Sequence, residues 1–353
     1  MKDGRNPGGA RVKAFVKTGY QPGEAGVEDV QVTRPGPGEV SLRVASCGIC
    51  GSDLHAFRAD AGFDWVRPPI TLGHEFSGIV ESAGPDVSRV GPGDRVVAVA
   101  IQGCGRCEFC LAGSTQLCRE RVAVGLSRDG GMAEYAVMPE QHLVPVPEGL
   151  DLAVAALGEP LSVSVHAVDV RAEIKPGQKV VVSGPGPIGI LCGMVARIRG
   201  ADVLLTGVGQ DAEARLPAAE RVGLRTANLS EKPLEEHLQD GFGDHAPDVW
   251  IESSGSVRAL SSALESVRPG GTVAVVGLYA DEMRFTPTDA VRREISLLFS
   301  YSCNYADYQS ALELLGSGAI DPGPLLSKYP LEDALEAFEA VGQGRTVKAI
   351  LVP

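Results

Sequence analysis

Residues Gly184-Pro185-Gly186-Pro187-Ile188-Gly189 constrain the fold of this chain more than any other segment. They follow an unbroken β-branched run, Val180-Val181-Val182, and open a helical pattern from Ile188 to about Arg199. A strand without polar alternation is expected where a sheet is covered on both faces. In a G-x-G-x-x-G loop the first glycine permits the tight turn. The second lets backbone approach a pyrophosphate, and the third lets helix and strand pack closely. The helix start adds free N–H groups and a positive dipole end. The glycine pattern alone is weak evidence, and its plain alternative is an ordinary strand-to-helix turn.

Further strand signals follow at Val203-Leu204-Leu205, Asp248-Val249-Trp250-Ile251 and Thr272 to Val276, separated by helical segments. Alternating strand and helix implies a doubly wound parallel sheet. The acidic residue expected on a ribose about twenty residues beyond the loop is missing. Gly207 stands in its place. Either Asp211 reaches back to the ribose, or Arg215 meets a 2′-phosphate, so both NAD and NADP stay open.

Residues 12 to about 100 have a different texture. Val40 to Val44 alternates as a half-buried strand does. Pro35-Gly36-Pro37-Gly38 and Gly91-Pro92-Gly93-Asp94 are turn signals, because Pro fixes φ and Gly accepts positive φ. This half reads as a β-rich, barrel-like domain. Beyond residue 300 come a helix (Asp307 to Leu315), a Gly/Pro turn region and an acidic helix (Glu332 to Val341). At 353 residues, two domains are expected. A net charge of −13 argues against nucleic acid and anionic membranes. The polar segment Met1 to Arg11 lacks the apolar core of a signal peptide and is expected to fray. The most apolar stretch, Val180 to Val195, is too short and interrupted to span a bilayer.

Eight cysteines without a signal-like segment point to a reducing, cytoplasmic compartment, where thiols bind metal more often than they pair. Cys104, Cys107, Cys110 and Cys118, spaced C-x2-C-x2-C-x7-C, suit a closed tetrahedral zinc site without an open position. An iron–sulfur cluster and paired disulfides are the alternatives. A second, more open set is Cys50 with His74-Glu75, and Asp53 is a candidate to fix the His74 tautomer. Catalytic zinc takes about three protein ligands and keeps one position open. A thioredoxin-like redox pair, Cys47 with Cys50, is the rival. It expects a βαβ context, and the region reads as all-β.

Gly48-Ile49-Cys50-Gly51-Ser52-Asp53-Leu54-His55, Gly73-His74-Glu75-Phe76-Ser77-Gly78, the four-cysteine lobe and Gly158-Glu159-Pro160-Leu161-Ser162-Val163 appear in order. Together they resemble the zinc-containing medium-chain dehydrogenase/reductase family, in its polyol branch of sorbitol, threonine and butanediol dehydrogenases. The resemblance runs from Val12 to Val352. It implies an α/β protein with a GroES-like catalytic domain from residues 1–160 and 300–353, its zinc lobe at about 100–120. A Rossmann domain would span 161–299. It implies two zinc ions per chain. Cys50 and His74 would hold the catalytic one, and Glu75 or Glu159 would complete the set, exchanging during turnover.

The cofactor, NAD or NADP, would lie along Gly184, Gly186, Pro187, Ile188, Gly189, Gly207, Arg215, Gly277, Leu278, Phe299 and Ser300. The reaction implied is reversible oxidation of a secondary alcohol to a ketone: zinc stabilises the alkoxide, and its carbon releases hydride to the nicotinamide. Ser52 and His55 would pass the alcohol proton towards solvent. Ser300 stands where animal sorbitol dehydrogenases carry an Arg, which puts sorbitol in question and leaves cyclitols, sugar derivatives, amino alcohols and smaller diols open. A homodimer or homotetramer is the family expectation. Two rivals are a zinc-free quinone or enoyl reductase on the same scaffold and a non-catalytic redox sensor. Cys50, His74 and the four-cysteine lobe speak against the reductase.

Overall fold

The structure, a computed structural model, describes residues 11–353. The expected fraying of the N-terminus therefore lies outside the described residues, except at Arg11, which opens the strand Arg11–Lys17.

Val180, Val181 and Val182 lie in the strand Lys179–Ser183, at the middle of a six-stranded parallel sheet. Its spatial order is Arg225–Asn228, Asp202–Gly207, Lys179–Ser183, Val249–Glu252, Thr272–Val275, Ser296–Phe299. The order reverses beside the first strand, which makes a crevice at the carboxyl ends of the strands. The three valines explain why the strand reads as continuous. Val180 and Val182 pack with Ile190, Leu191 and Val195, while Val181 faces the other layer with Trp250, Leu260 and Ala263. The expected helix runs from Pro187 to Ile198.

The β-rich half is built round a seven-stranded sheet. Its strand Glu39–Gly48 pairs with Glu75–Ala83, with Tyr135–Pro139 and with the C-terminal strand Lys348–Val352. The chain end thus returns to the first sheet, with Ile350 opposite Gly48 and Leu351 opposite Cys47. Leu326–Pro330 extends the same sheet; it lies just beyond the region read as Gly/Pro turns. Helices Tyr305–Gly316 and Ala334–Gly342 replace the expected Asp307–Leu315 and Glu332–Val341. Asn304 and Asp307 cap the first of these reciprocally, which moves its start upstream.

The all-β reading round Cys50 needs correction. An eight-residue helix, Gly51–Arg58, begins there. Asp53 Oδ2 accepts the Cys50 N–H at 2.9 Å, closing the first turn. A second helical run, Leu152–Arg171, is long and apolar enough to cross a membrane by length and composition. It is mostly buried in this fold, as a core helix is. Its segment Gly158–Val165 packs against Tyr305–Gly316 and Pro187–Ile198, joining the two halves through one apolar core.

Candidate functional site

Two groups of metal-type side chains are gathered among the described residues. In the lobe, the sulfurs of Cys104, Cys107, Cys110 and Cys118 lie within 4.8 Å of one another. Cys107 Sγ is 3.5 Å from Cys110 Sγ, and Cys104 Sγ is 4.0 Å from it. Four thiolates tetrahedrally round zinc, with bonds of about 2.3 Å, stand about 3.8 Å apart, so the cluster fits that ion. Backbone N–H groups of Arg106 and Cys107 pull the Cys104 thiol down to about 6, the thiolate form a metal takes. A Cβ at Gly103 would sit 2.5 Å from Cys110 Sγ, so the loop closes only with glycine there.

The second group is Cys50, His74 and Glu75, whose donor atoms also lie within 4.8 Å of one another. Cys50 caps the helix Gly51–Arg58 and is partly exposed, while His74 and Glu75 are buried where the strand Glu75–Ala83 starts. Asp53 ties the two segments together. Besides the Cys50 N–H, it accepts Gly73 N at 3.2 Å, and its Oδ1 lies 3.5 Å from His74 Nδ1. His74 Nδ1 is buried and makes no hydrogen bond, and the Asp53 carboxylate beside it leaves Nε2 as the nitrogen for a metal. Ser52 Oγ lies 3.5 Å from that Nε2. A cysteine sulfur, an imidazole and a carboxylate gathered beside a partly exposed residue suit zinc. Cys47 is fully buried, so it is no accessible partner for Cys50 in a redox pair.

Glu159 sits in the first turn of Gly158–Val165, buried, outside the tight trio. Burial pushes its carboxyl up to about 7, with His74 pulling down and Glu75 adding to the rise. Ser52 and His55 are three apart on one helix and share a face. His55 Nδ1 is 2.7 Å from Asp60 Oδ2, and its ring stacks on Phe63 with centroids 5.2 Å apart. Asp60 was not read from the sequence; a carboxylate five residues past a histidine carries no motif.

Lys348 was also missed, and it is the basic residue at the centre. It is buried, contacts Glu75 Oε2 as an ion pair and donates to Ile49 O at 3.0 Å. Gly48 makes the meeting possible. A Cβ there would overlap Glu75 Oε2 and stand 3.1 Å from Lys348 Cε. The only trace in the sequence is one lysine opening the apolar run Lys348-Ala349-Ile350-Leu351.

The glycine loop has the shape its spacing predicts. Gly184 has φ +96°, and a Cβ there would be 2.7 Å from Ser254 Cβ. A Cβ at Gly189 would overlap Gly184 O, so helix and strand need this glycine. A Cβ at Gly186 would meet nothing within 4 Å, which leaves open space before the N-terminus of Pro187–Ile198. That space and the free helix amides of Ile188 and its neighbours suit a pyrophosphate. Gly277, Leu278 and Ser300 lie past the carboxyl ends of the last two strands, and Phe299 is the final residue of the second, on the same edge as the loop. Leu278 and Phe299 are exposed; Ser300 Oγ is buried without a hydrogen-bond partner.

Asp211 and Arg215, the two candidates for the ribose end of a dinucleotide, pair with each other. Asp211 is buried, accepts Val208 N at 3.0 Å and holds Arg215 Nη1 at 3.2 Å. Arg215 Nε is buried and unpartnered. A Cβ at Gly207 would be 2.9 Å from both Leu216 Cδ2 and Pro185 Cγ, so that position is closed to a side chain.

Comparison with known proteins agrees with this geometry. Residues 36–148 match the alcohol dehydrogenase GroES-like domain, and residues 187–317 match the zinc-binding dehydrogenase domain. The chain is 36% identical to a sorbitol dehydrogenase of Halalkalibacterium halodurans, over 97% of this chain and 99% of that protein. It is 35% identical to an L-threonine 3-dehydrogenase of Streptomyces coelicolor, over 96% and 99% of the two chains. A structure from Sinorhizobium meliloti, described as a zinc-binding dehydrogenase bound to NADP, superposes with a TM-score of 0.89 at 33% identity, covering 98% of this chain and all of that one. With both halves matched in order and relatives spanning nearly its full length, the chain belongs to the zinc-containing medium-chain dehydrogenase/reductase family, in the polyol branch.

Proposed function

We propose that the protein oxidises a secondary alcohol to a ketone, reversibly, with zinc at Cys50, His74 and a carboxylate and with NAD or NADP as the hydride acceptor. The observation that carries this reading is the convergence of Cys50, His74 and Glu75 within 4.8 Å in a fold whose glycine loop leaves space for a pyrophosphate. When bound, zinc supplies Lewis acidity towards the alcohol oxygen and the nicotinamide supplies a hydride acceptor. The remaining work belongs to side chains. Asp53 holds the His74 ring in orientation. Ser52 Oγ, beside His74 Nε2, takes the alcohol proton, and His55 hands it to solvent. Asp60 on His55 Nδ1 leaves Nε2 as the site of transfer.

Sorbitol, D-arabitol phosphate, xylulose and threonine in the relatives' names share a secondary carbinol (or the matching ketone) beside a second polar substituent. The substrate class follows: polyols, cyclitols, sugar derivatives, vicinal diols or hydroxy-amino acids. The exposed edge strand Ser296–Phe299 suits a homo-oligomer.

The test is a nicotinamide-absorbance screen of that panel with each cofactor, joined to elemental analysis. Wild type should hold two zinc ions, one for each gathered group. His74→Ala should lose one ion and all turnover while still binding NAD(P)H. Retention of more than about a tenth of wild-type kcat would sink the zinc reading, because the Lewis-acid contribution is worth several kcal/mol.

A further inference from the structure

Lys348 is a buried cation set among anions. Glu75 is its ion-pair partner, and the buried carboxylate of Glu159 and the thiol of Cys50 act on it electrostatically. Three strands cooperate to put it there. Glu75 opens one strand, Gly48 ends the next without a side chain, and Lys348 begins the C-terminal strand beside it. Ile49 O fixes the ammonium from the residue preceding Cys50. Placing a lysine within reach of a dication is costly unless it has a task, because like charges repel strongly in a buried site. The carboxylate it grips is the one that also belongs to the metal trio.

We propose that Lys348 is a positioning residue of the metal seat: it holds Glu75 in an ion pair that competes with the metal for this carboxylate, so that Glu75 detaches readily and Glu159 takes its place. The proposal rests on the reading that Cys50 and His74 hold zinc. Its sign is opposite to that of a bracing role. A lysine that only braced the fold would, on removal, loosen the metal. A competing lysine, once removed, leaves Glu75 to the metal alone, so the ion binds more tightly and the ligand exchanges more slowly.

The experiment is chelator competition on the full-length, zinc-loaded protein, with kinetics on the same preparations. His74→Ala identifies which zinc release belongs to the seat. Lys348→Met should hold that ion at least about tenfold more tightly than wild type, with kcat lowered about tenfold and KM little changed. Lys348→Arg keeps the cation and should restore both towards wild type. If Lys348→Met does not fold, Lys348→Gln keeps a donor for Ile49 O without the charge and carries the same expectation. Zinc held equally or more loosely in the uncharged variant would overturn the proposal. A wild type holding one zinc ion, retained by His74→Ala, would instead overturn the underlying site reading.

Discussion

At the scale of single residues, Asp53 shows how much one carboxylate can fix. By accepting the N–H groups of Cys50 and Gly73, it sets the two segments that carry Cys50, His74 and Glu75, and it faces the ring of His74. His55, held by Asp60, stands on the same helix further towards solvent. His55→Ala is expected to slow turnover about 10²-fold near neutral pH and less at high pH, where hydroxide replaces the lost base. A pH–rate profile parallel to wild type would return His55 to the surface. The cofactor preference rests on another pair. Asp211 and Arg215 neutralise each other, so neither offers a free charge to the ribose or to a 2′-phosphate. NAD and NADP should therefore bind within about tenfold of each other, a difference of about 1.4 kcal/mol. Asp211→Asn keeps an acceptor for Val208 N–H while freeing the Arg215 charge. It should shift the affinity ratio towards NADP by about tenfold, read by fluorescence titration. An unmoved ratio would place discrimination elsewhere. Gly207→Asp is a poorer test, because its Cβ would press on Leu216 and Pro185 and add a carboxylate beside Asp211.

At the scale of elements, what could be read from the sequence were pieces whose chemistry is local. The four-cysteine lobe and the glycine loop each declare themselves within one short stretch, and both fold as their spacing demands. The helix Gly51–Arg58 was hidden because eight residues with a glycine start and a buried Asp give no clear apolar face. Its cause is the Asp53 cap, which is visible only once Cys50 is known to be extended. One short element also holds a group that titrates with acid. His142 ends the 3-10 turn Glu140–His142. Burial pushes it down to about 4, with Arg128 and Arg89 adding repulsion. In the unfolded chain a histidine titrates near about 6.5. The folded value is lower, so the unfolded chain binds more protons between the two values. The neutral ring's stabilising share is present above about pH 6.5 and is lost as pH falls towards 4. His142→Gln should flatten that loss, so that urea midpoints of variant and wild type converge or cross on going from pH 7 to 5. A gap that stays constant with pH would show that His142 binds its proton equally in the folded and unfolded chains, which would remove it as a source of acid sensitivity.

At the scale of the whole molecule, long-range return is what a linear reading loses. Lys348 stands 299 residues from Ile49, whose carbonyl it binds, and no periodicity connects them. The strand Lys348–Val352 joins the seven-stranded sheet to residues from the far end of the chain. The parallel sheet, by contrast, ends openly. Ser296–Phe299 pairs on one side with Thr272–Val275 and terminates the strand order. An open edge with apolar neighbours is a template for a further strand. Here Leu278, Phe285, Val291, Phe299 and Tyr301 are all exposed within the segment that flanks it. Scattered exposed apolar residues are ordinary, but five in the stretch of chain that carries this open edge are more than a monomer surface needs. A second copy related by a two-fold axis can present the same edge in return, which turns two open edges into one continuous sheet. Light scattering in line with gel filtration should therefore give a mass of two or four times the 36.8 kDa chain. The double variant Val291→Asp/Phe299→Asp sets like charges against each other across such an axis and should shift the mass down towards a single chain. An oligomer that withstands both charges would place the contact on another face, and a wild type at 36.8 kDa would mean that the edge is left unpaired in solution.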